Sequence, residues 1–226
     1  MENLKESPSD VTGASMHPIV PLPFAPYYRD DSVTIYNMDC RKVLPWLGKF
    51  DLLLTDPPYG IGVGGMQMQA GAKRKEFQRF AWDDSTPSQW VIDSQIEIAK
   101  DAIIWGGNYF SVKPSRCWLT WDKMQEFSGS DFEAAWTTFD KPCKTFRMSR
   151  VEAHTNGKSH PTEKPIGLIR WCLQFAPEAQ TVLDPFAGSG TTGVACKLEG
   201  RKAVLIEVSE AYCESAAKRL SQGVLF

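Results

Sequence analysis

Compact apolar runs alternate along the chain with longer amphipathic segments, a pattern that predicts strands and helices in turn. The predicted strands cover 33–38, 51–55, 102–105, 117–121, 132–139, 181–184 and 203–207, and the predicted helices cover 41–47, 87–100, 166–175, 191–199 and 210–220. The fourth and fifth strands have no helix between them and are expected to pair antiparallel. Because the other strands are short, apolar and separated by helices, the pattern predicts an α/β fold with a largely parallel sheet covered on both faces.

Three segments lack this periodicity. Five prolines among residues 1–26 predict a poorly ordered tail over 1–30, followed by one domain over 31–226. Residues of about 61–86 are rich in Gly, Gln, Lys and Arg, and a loop of that length inside a compact domain is usually functional or mobile. Residues 140–160 are basic and are expected to be irregular.

The composition is that of an ordinary globular domain. Of the 226 residues, 42% are hydrophobic and 23% charged, which suffices for one α/β domain with a core. No run of about 18 apolar residues occurs, and residues 1–26 lack the features of a secretory signal, so no membrane partner is expected. The six cysteines are far apart and form no CxxC pair. This spacing favours reduced thiols in a cytoplasm over disulfides, and no metal site is expected.

The overall charge argues against a protein that binds nucleic acid through bulk positive charge. The formal net charge is −2 and the isoelectric point is near 6.0, so a nucleic-acid partner needs a local basic surface. Two basic clusters qualify: Lys73, Arg74, Lys75 and Arg79, then Lys141, Lys144, Arg147, Arg150 and Lys158. Solvated loops remain the alternative interpretation of both clusters.

A glycine-rich turn follows the strand predicted at 181–184. Gly188, Gly190 and Gly193 spell GxGxxG, the fingerprint of dinucleotide-binding enzymes, and therefore keep a nicotinamide-dependent oxidoreductase open. Asp184 at the strand end would repel a pyrophosphate but would pair with the ammonium of a methionine moiety. Glu207 ends the next strand, where its carboxylate could accept hydrogen bonds from ribose hydroxyls. The turn therefore fits S-adenosyl-L-methionine better than a nicotinamide dinucleotide.

A second turn follows the apolar strand 51–55 and consists of Asp56, Pro57, Pro58 and Tyr59. The two prolines fix two φ angles and remove two N–H donors, so this stiff corner presents only hydrogen-bond acceptors beside an aromatic ring. The exocyclic amine of a nucleobase is a poor nucleophile because its lone pair is delocalised. The Asp56 carboxylate and the Pro57 carbonyl could each accept one of its N–H groups, while Tyr59 stacks on an extruded base.

Together the two turns resemble the catalytic and cofactor motifs of amino-methylating DNA methyltransferases. The catalytic motif comes first, an order that resembles the β group of the family. Asn-Met-Asp-Cys at 37–40, His-Pro-Thr-Glu-Lys-Pro at 160–165 and the ending at 206–220 resemble further motifs of the family. Over 61–157 the match is looser and rests chiefly on Trp-Asp-Lys at 121–123.

Carried over by position, the resemblance implies two sets of site residues. The catalytic set is Asp56, Pro57, Pro58 and Tyr59, and the cofactor set is Asp39, Thr162, Lys164, Asp184, Phe186, Gly188, Ser189, Gly190, Thr191 and Glu207. A surface lysine at a helix start is an equal interpretation of Lys164, and a core position is one for Phe186. Cytosine-N4 members of the family more often begin the catalytic motif with Ser, so Asp56 favours the N6 amine of adenine.

The resemblance also implies a circularly permuted, Rossmann-like fold with a seven-stranded, mostly parallel sheet and one antiparallel edge strand. The strands ending at Thr55 and Asp184 would lie side by side where the strand order reverses. The loop at about 61–86 would close over double-stranded DNA with its basic residues on phosphates. A small target-recognition segment at about 140–158 would contribute Lys144, Arg147 and Arg150. A short recognition site, or a homodimer, would account for the absence of a large recognition domain.

The hypothesis is an adenine-N6 DNA methyltransferase in the cytoplasm of a bacterial, archaeal or phage-infected cell, of the kind found in restriction-modification systems. Three alternatives stay open: a cytosine-N4 methyltransferase, a nicotinamide-dependent oxidoreductase and a catalytically silent DNA-binding module. Identifying the methylated nucleoside separates the first two, and the choice of cofactor separates the others.

Overall fold

A computed structural model describes residues 22–60, 86–124, 130–149 and 163–222, and nine strands within these residues form one mixed sheet. The strands are β1 (Tyr28–Arg29), β2 (Val33–Asn37), β3 (Phe50–Thr55), β4 (Ala99–Trp105), β5 (Trp118–Asp122), β6 (Phe132–Thr137), β7 (Lys144–Arg147), β8 (Thr181–Asp184) and β9 (Lys202–Glu207). Their order across the sheet is β1-β2-β9-β8-β3-β4-β6-β5-β7.

Five α-helices connect or follow the strands within the described residues. They are α1 (Cys40–Val43), α2 (Gln89–Glu97), α3 (Ile166–Leu173), α4 (Thr191–Leu198) and α5 (Glu210–Ser221). Two 3-10 turns, Leu44–Trp46 and Gly107–Tyr109, follow α1 and β4. None of the described helices is long and apolar enough to span a bilayer.

Five neighbouring strands, β2-β9-β8-β3-β4, run parallel and form the middle of the sheet. β3 pairs with β8 through Leu52 opposite Val182 and Leu53 opposite Leu183. The chain moves from β3 to β4 in one direction and from β8 to β9 in the other, so the strand order reverses between β3 and β8. The expectation that the strands ending at Thr55 and Asp184 lie side by side is therefore confirmed.

Both faces of the sheet are covered, as the apolar strands predict. Leu52 and Leu54 point into a core cluster formed with α3, α4 and α5. Leu53, between them, points into the opposite cluster with α1 and α2. This two-residue alternation within an entirely apolar strand is the expected consequence of burying both faces of a parallel sheet.

The expected strand count and the single antiparallel edge strand are wrong. The sheet has nine strands instead of seven, since β1 and β7 add one strand at each edge. β6 lies inside the sheet, antiparallel to both β4 and β5, and β1 is antiparallel to β2. β1 has two residues and β7 has one large apolar side chain, Phe146, so neither carries the apolar run by which strands were recognised.

Two further expectations fail at element ends. The segment 140–160 was expected to be irregular, yet β7 pairs with β5 along Lys144–Arg147. α2 begins at Gln89 instead of Pro87 and ends at Glu97. It stops early because Ala99 pairs with Phe50 of β3, and Phe50 N–H also donates to the Ile98 carbonyl at 2.8 Å. Sheet pairing therefore places in β4 the residues that the sequence pattern predicted to be the end of this helix.

Candidate active site

Two carboxylates lie at the carboxyl ends of the adjacent strands β3 and β8. Asp56 directly follows β3, and Asp184 is the last residue of β8. Thr55 joins them, since its hydroxyl donates to Oδ1 of Asp184 at 2.8 Å while its peptide bond leads into Asp56. The charge of Asp56 also acts on the Asp184 carboxyl. The sheet therefore brings the two sequence motifs, 128 positions apart in the chain, to one edge.

Within the Asp-Pro-Pro-Tyr corner, the tyrosine side chain hydrogen-bonds to the aspartate carboxylate. Pro57 is buried, whereas the side chain of Asp56 remains 28% exposed. Tyr59 donates its hydroxyl to Oδ1 of Asp56, and Lys164 donates its ammonium to Oδ2 at 2.5 Å. A carboxylate offers about four lone-pair positions, so each oxygen can accept one further hydrogen bond.

The Tyr59 ring stacks on Tyr109, with ring centroids 4.9 Å apart and planes inclined by 12°. Tyr109 lies in the 3-10 turn after β4 and is 44% exposed. Gly106 makes this arrangement possible, because it adopts φ +67° and a Cβ there would lie 2.0 Å from the Tyr59 ring. The sequence showed the Gly106-Gly107 pair after a strand, but nothing in it identified Tyr59 as the neighbour.

A buried group of charges surrounds Asp56, and sequence reasoning missed most of it. Lys164 Nζ lies 2.9 Å from Oε2 of Glu133, and Lys123 Nζ lies 2.9 Å from Oε1 of the same residue. Burial favours a neutral Glu133, but the two ammonium groups outweigh it and lower its pKa to about 2. Burial likewise favours a neutral Lys164, yet the carboxylates of Asp56 and Glu133 raise its pKa well above the ordinary value.

A sequence signal for this group exists in retrospect. Glu133 interrupts the apolar strand β6, and Lys123 follows the apolar β5 directly. Charged side chains in apolar segments are either exposed or paired, and the structure shows that these two are paired. Lys164 was expected to bind the cofactor; the structure places its ammonium on the catalytic corner, 5.8 Å from the Tyr59 ring centroid and 5.5 Å from that of Trp105.

Asp184 is buried beneath the glycine turn and accepts hydrogen bonds from protein donors. The Phe186 N–H donates to Oδ1 at 3.1 Å, and the Thr192 hydroxyl donates to Oδ2 at 2.6 Å. Burial raises the pKa of its carboxyl to about 6, against the lowering effect of these donors and of Thr55. The carboxylate therefore holds the two ends of the turn, at Phe186 and Thr192, in place.

The three glycines of the turn have different surroundings. A Cβ at Gly190 would lie 2.6 Å from Cβ of Ala216 on α5, and one at Gly193 would lie 2.7 Å from the Leu205 side chain. Gly188 has φ +50° and nothing within 4 Å of such a Cβ. Gly190 and Gly193 thus allow close packing, whereas Gly188 exposes backbone to open space, as a turn that a ligand approaches closely requires.

The remaining cofactor candidates lie around the same turn. Glu207 accepts the N–H of Gly188 and the N–H of Ser209, both at 2.8 Å, and burial raises the pKa of its carboxyl. Asp39 caps α1 by accepting the Arg41 N–H at 2.9 Å. Because Asn37 of β2 pairs with Glu207 of β9, Asp39 and Glu207 lie at the same end of neighbouring strands.

Ser189 and Thr191 are buried against the carboxyl-terminal helix. Arg219 of α5 donates to the Ser189 carbonyl at 2.8 Å and forms an ion pair with Glu163 at 2.7 Å. The Thr191 hydroxyl donates to Glu163 at 3.3 Å. Glu163 therefore contacts the glycine turn, while its neighbour in sequence, Lys164, contacts Asp56. Thr162 lies outside the described residues.

The predicted DNA contacts are only partly described. Lys73, Arg74, Lys75, Arg79, Arg150 and Lys158 lie outside the described residues. Lys144 and Arg147 are the first and last residues of β7. Arg147 forms an exposed ion pair with Asp122, 3.4 Å from Nε to Oδ2. Lys141 donates to the Phe175 carbonyl at 2.8 Å.

The sequence model of the N6/N4 DNA methylase family matches residues 104–218, about half of the chain. The chain belongs to this family. The match includes the glycine turn, Asp184 and Glu207, and membership decides the competing interpretations of that turn in favour of a DNA methyltransferase over a nicotinamide-dependent enzyme.

Two curated relatives are similar to this chain over most of its length and most of their own. The type II methyltransferase M2.LlaDCHI of Lactococcus lactis subsp. cremoris is 24% identical, over 89% of this chain and 94% of the relative. The type II methyltransferase M2.DpnII of Streptococcus pneumoniae is 23% identical, over 86% of this chain and 92% of the relative.

Solved structures show the same fold. The PvuII DNA methyltransferase, described as cytosine-N4-specific, has a TM-score of 0.60 at 16% identity, over 89% of this chain and 90% of that one. The M1.HpyAVI–SAM complex has a TM-score of 0.56 at 20% identity, over 83% of this chain and 100% of that one. The mixed α/β single-sheet fold is therefore that of DNA methyltransferases.

Proposed function

We propose that this methyltransferase transfers a methyl group from S-adenosyl-L-methionine to the N6 amine of adenine in double-stranded DNA. The observation that carries the proposal is the Asp56 carboxylate at the tip of β3, beside the glycine turn that follows β8. Asp56, instead of Ser, at the start of the corner favours adenine by resemblance. The family is described as one of DNA methylases, which supports DNA as the substrate.

The catalytic corner would bind and orient the amine. One N–H of the amino group donates to Asp56, whose oxygens retain acceptor capacity beside Tyr59 and Lys164, and the other donates to the Pro57 carbonyl. These two acceptors localise the nitrogen lone pair toward the incoming methyl group. Tyr59 holds the extruded base by stacking, and Pro58 fixes the turn. The N–C bond would form as the methyl C–S bond of the sulfonium breaks, leaving the cofactor as a neutral thioether, and the nitrogen would release one proton to water as or after that bond forms.

The glycine turn fits the cofactor. Gly188 offers close approach to backbone, and Ser189, Gly190 and Thr191 complete the turn into α4. S-adenosyl-L-methionine supplies an electrophilic methyl group on a sulfonium. Each Glu207 oxygen accepts one backbone N–H and can also accept a ribose hydroxyl. Asp39 and Phe186 flank this side, and Asp184 would act from beneath by holding the turn.

The chain order supports a circular permutation. β3 and its catalytic corner precede β8 and the glycine turn, yet the two strands are neighbours. We also propose the division into a tail over 1–30 and a methyltransferase domain over 31–226, with DNA contacts from the loop at about 61–86 and the segment at about 140–158. A cytoplasmic location in a prokaryotic cell and a homodimer on DNA belong to the same proposal.

Cytosine N4 remains the second candidate, because the PvuII enzyme with the same fold is described as cytosine-N4-specific. Incubation with methyl-labelled S-adenosyl-L-methionine and DNA, followed by nucleoside analysis, separates the candidates. N6-methyladenine is the expected product, and N4-methylcytosine would replace the proposal by the alternative. Labelled cofactor bound without any methylated nucleoside would contradict both.

A matched pair of variants assigns the chemistry to the corner. Asp56→Ala should abolish methyl transfer while the protein still binds S-adenosyl-L-methionine. Asp140→Ala is the control, because it removes an exposed carboxylate that pairs with Arg116. Equal loss of activity in both variants would point to a general loss of folded protein, which the cofactor-binding measurement detects.

A further inference from the structure

The Lys164 ammonium lies between two carboxylates, one just after the end of β3 and one near the start of β6. Its Nζ is 2.5 Å from Oδ2 of Asp56 and 2.9 Å from Oε2 of Glu133. The side chain is only 8% exposed. An ammonium removed from water is unfavourable unless it is paired and hydrogen-bonded, so both contacts are needed for a charged Lys164 at this place.

A second lysine, Lys123, holds the carboxylate of Glu133. Oε1 of Glu133 is 2.9 Å from Lys123 Nζ, so each Glu133 oxygen faces one ammonium. Glu133 is held on β6 opposite Trp121 of β5, and the Lys123 N–H donates to the Asp131 carbonyl at 3.1 Å. The series Lys123–Glu133–Lys164–Asp56 thus balances two positive and two negative charges and connects a β-hairpin to the catalytic corner.

We propose that Lys164 is a positioning residue that acts through Asp56, held in turn by Glu133 and Lys123, and that it does not contact the cofactor. This inference rests on the proposed role of Asp56. The Tyr59 hydroxyl on Oδ1 and Lys164 on Oδ2 hold the carboxylate in one orientation, and each oxygen keeps a lone pair with which to accept the amine.

Lys164 contacts the catalytic corner, whereas its neighbour in sequence, Glu163, contacts the glycine turn. A lysine ammonium has three donors, and Lys164 lies within 3.5 Å of oxygens of Asp56, Glu133 and Tyr59. Glu163 instead contacts Thr191 and Arg219 at the glycine turn. Removing the Lys164 charge should therefore alter catalysis at Asp56 without weakening the cofactor site.

The experiment compares Lys164→Met and Lys164→Arg in the full chain. The control is Lys197→Met, which removes the ion pair of Lys197 with Asp30 at 2.6 Å; Lys197 lies in the last turn of α4, and neither residue belongs to the proposed site. Three quantities are measured: kcat on DNA, for whichever amine the wild-type protein methylates; KM for DNA; and Kd for S-adenosyl-L-methionine by calorimetry. Where the single variant fails to fold, a double variant, Lys164→Met with Glu133→Gln, restores the charge balance of the group by removing one carboxylate together with the ammonium.

For Lys164→Met we expect kcat to fall by about 100-fold with an unchanged cofactor Kd, because misplacing a reacting group by about 1 Å costs that much. Lys164→Arg should recover part of kcat, and Lys197→Met should match the wild type. A weakened cofactor Kd with normal kcat at saturation would overturn the proposal, as would a double variant with wild-type kcat. Methylation of cytosine by the wild type would overturn only the proposed function, since the comparison of variants is unaffected.

Discussion

At the scale of single residues, the position of the Tyr59 ring depends on a missing side chain. Gly106 lies in the left-handed region at φ +67°, and the ring occupies the space where a Cβ would be. Tyr109 stacks on one face of the ring, with the ring centroids 4.9 Å apart. The ring that is proposed to stack on the base is therefore located by its packing and by its hydrogen bond to Asp56.

Gly106→Ala tests this arrangement. The new Cβ would lie 2.0 Å from the Tyr59 ring, and alanine at φ +67° is strained. We expect the ring to shift, methyl transfer to fall, and unfolding free energy to decrease by about 1–3 kcal/mol. Activity assays and urea unfolding measure the two effects.

Gly48→Ala is the control for that substitution. A Cβ at Gly48 would meet no atom within 4 Å. This variant should keep both activity and stability. If Gly106→Ala behaved like Gly48→Ala, the ring would not need the space at residue 106.

At the scale of elements, β7 is the last strand at one side of the sheet. Its two basic residues lie at opposite ends of the strand, so only one of them lies near the catalytic corner's end of the sheet. β4 runs parallel to β3, β6 opposes β4, β5 opposes β6, and β7 follows β5. The carboxyl end of β7 therefore lies at the same edge of the sheet as the carboxyl end of β3, which carries the catalytic corner. Arg147 lies at that catalytic edge, while Lys144 lies three residues away, roughly 10 Å toward the opposite edge.

Substituting the two basic residues separately tests the DNA-facing edge. Arg147→Ala should weaken DNA binding and reduce the slope of log K against log salt by about 1, the value for one lost phosphate contact. Lys144→Ala should leave both nearly unchanged, although it removes the same charge. Filter binding or fluorescence anisotropy over a range of salt concentrations provides the slopes, and equal effects of the two substitutions would contradict an edge-specific role.

At the scale of the whole molecule, the sequence predicts what depends on local pattern. The parallel strands and the covered faces follow from the apolar runs, and the neighbouring carboxylates at 56 and 184 follow from the family resemblance of the two motifs. β7 and the ion series around Glu133 do not, because they depend on pairing between distant segments. Lys164 and Asp56 are 108 positions apart, and no local rule shows that these two side chains meet.

The buried Asp184 carboxyl couples the cofactor turn to the stability of the entire fold. Burial raises its pKa from the ordinary 3.8 to about 6, although Thr55, Thr192 and the Phe186 N–H oppose the shift. The folded protein therefore binds this proton more tightly than the unfolded chain does. The stabilisation is fully present below about pH 4 and is lost as the pH rises through about 6.

Asp184→Asn isolates this contribution, because asparagine keeps the shape without titrating. Between pH 4 and pH 7 the wild-type protein should lose roughly 2 kcal/mol of unfolding free energy relative to the variant. Glu133 loses its own stabilisation as the pH falls from about 4.5 toward its pKa of about 2, but Glu133 is present in both proteins, so its contribution cancels in the comparison. Urea unfolding at each pH gives the difference. A difference that stays constant from pH 4 to pH 7 would mean that the carboxyl under the turn titrates as it does in water, which its burial argues against.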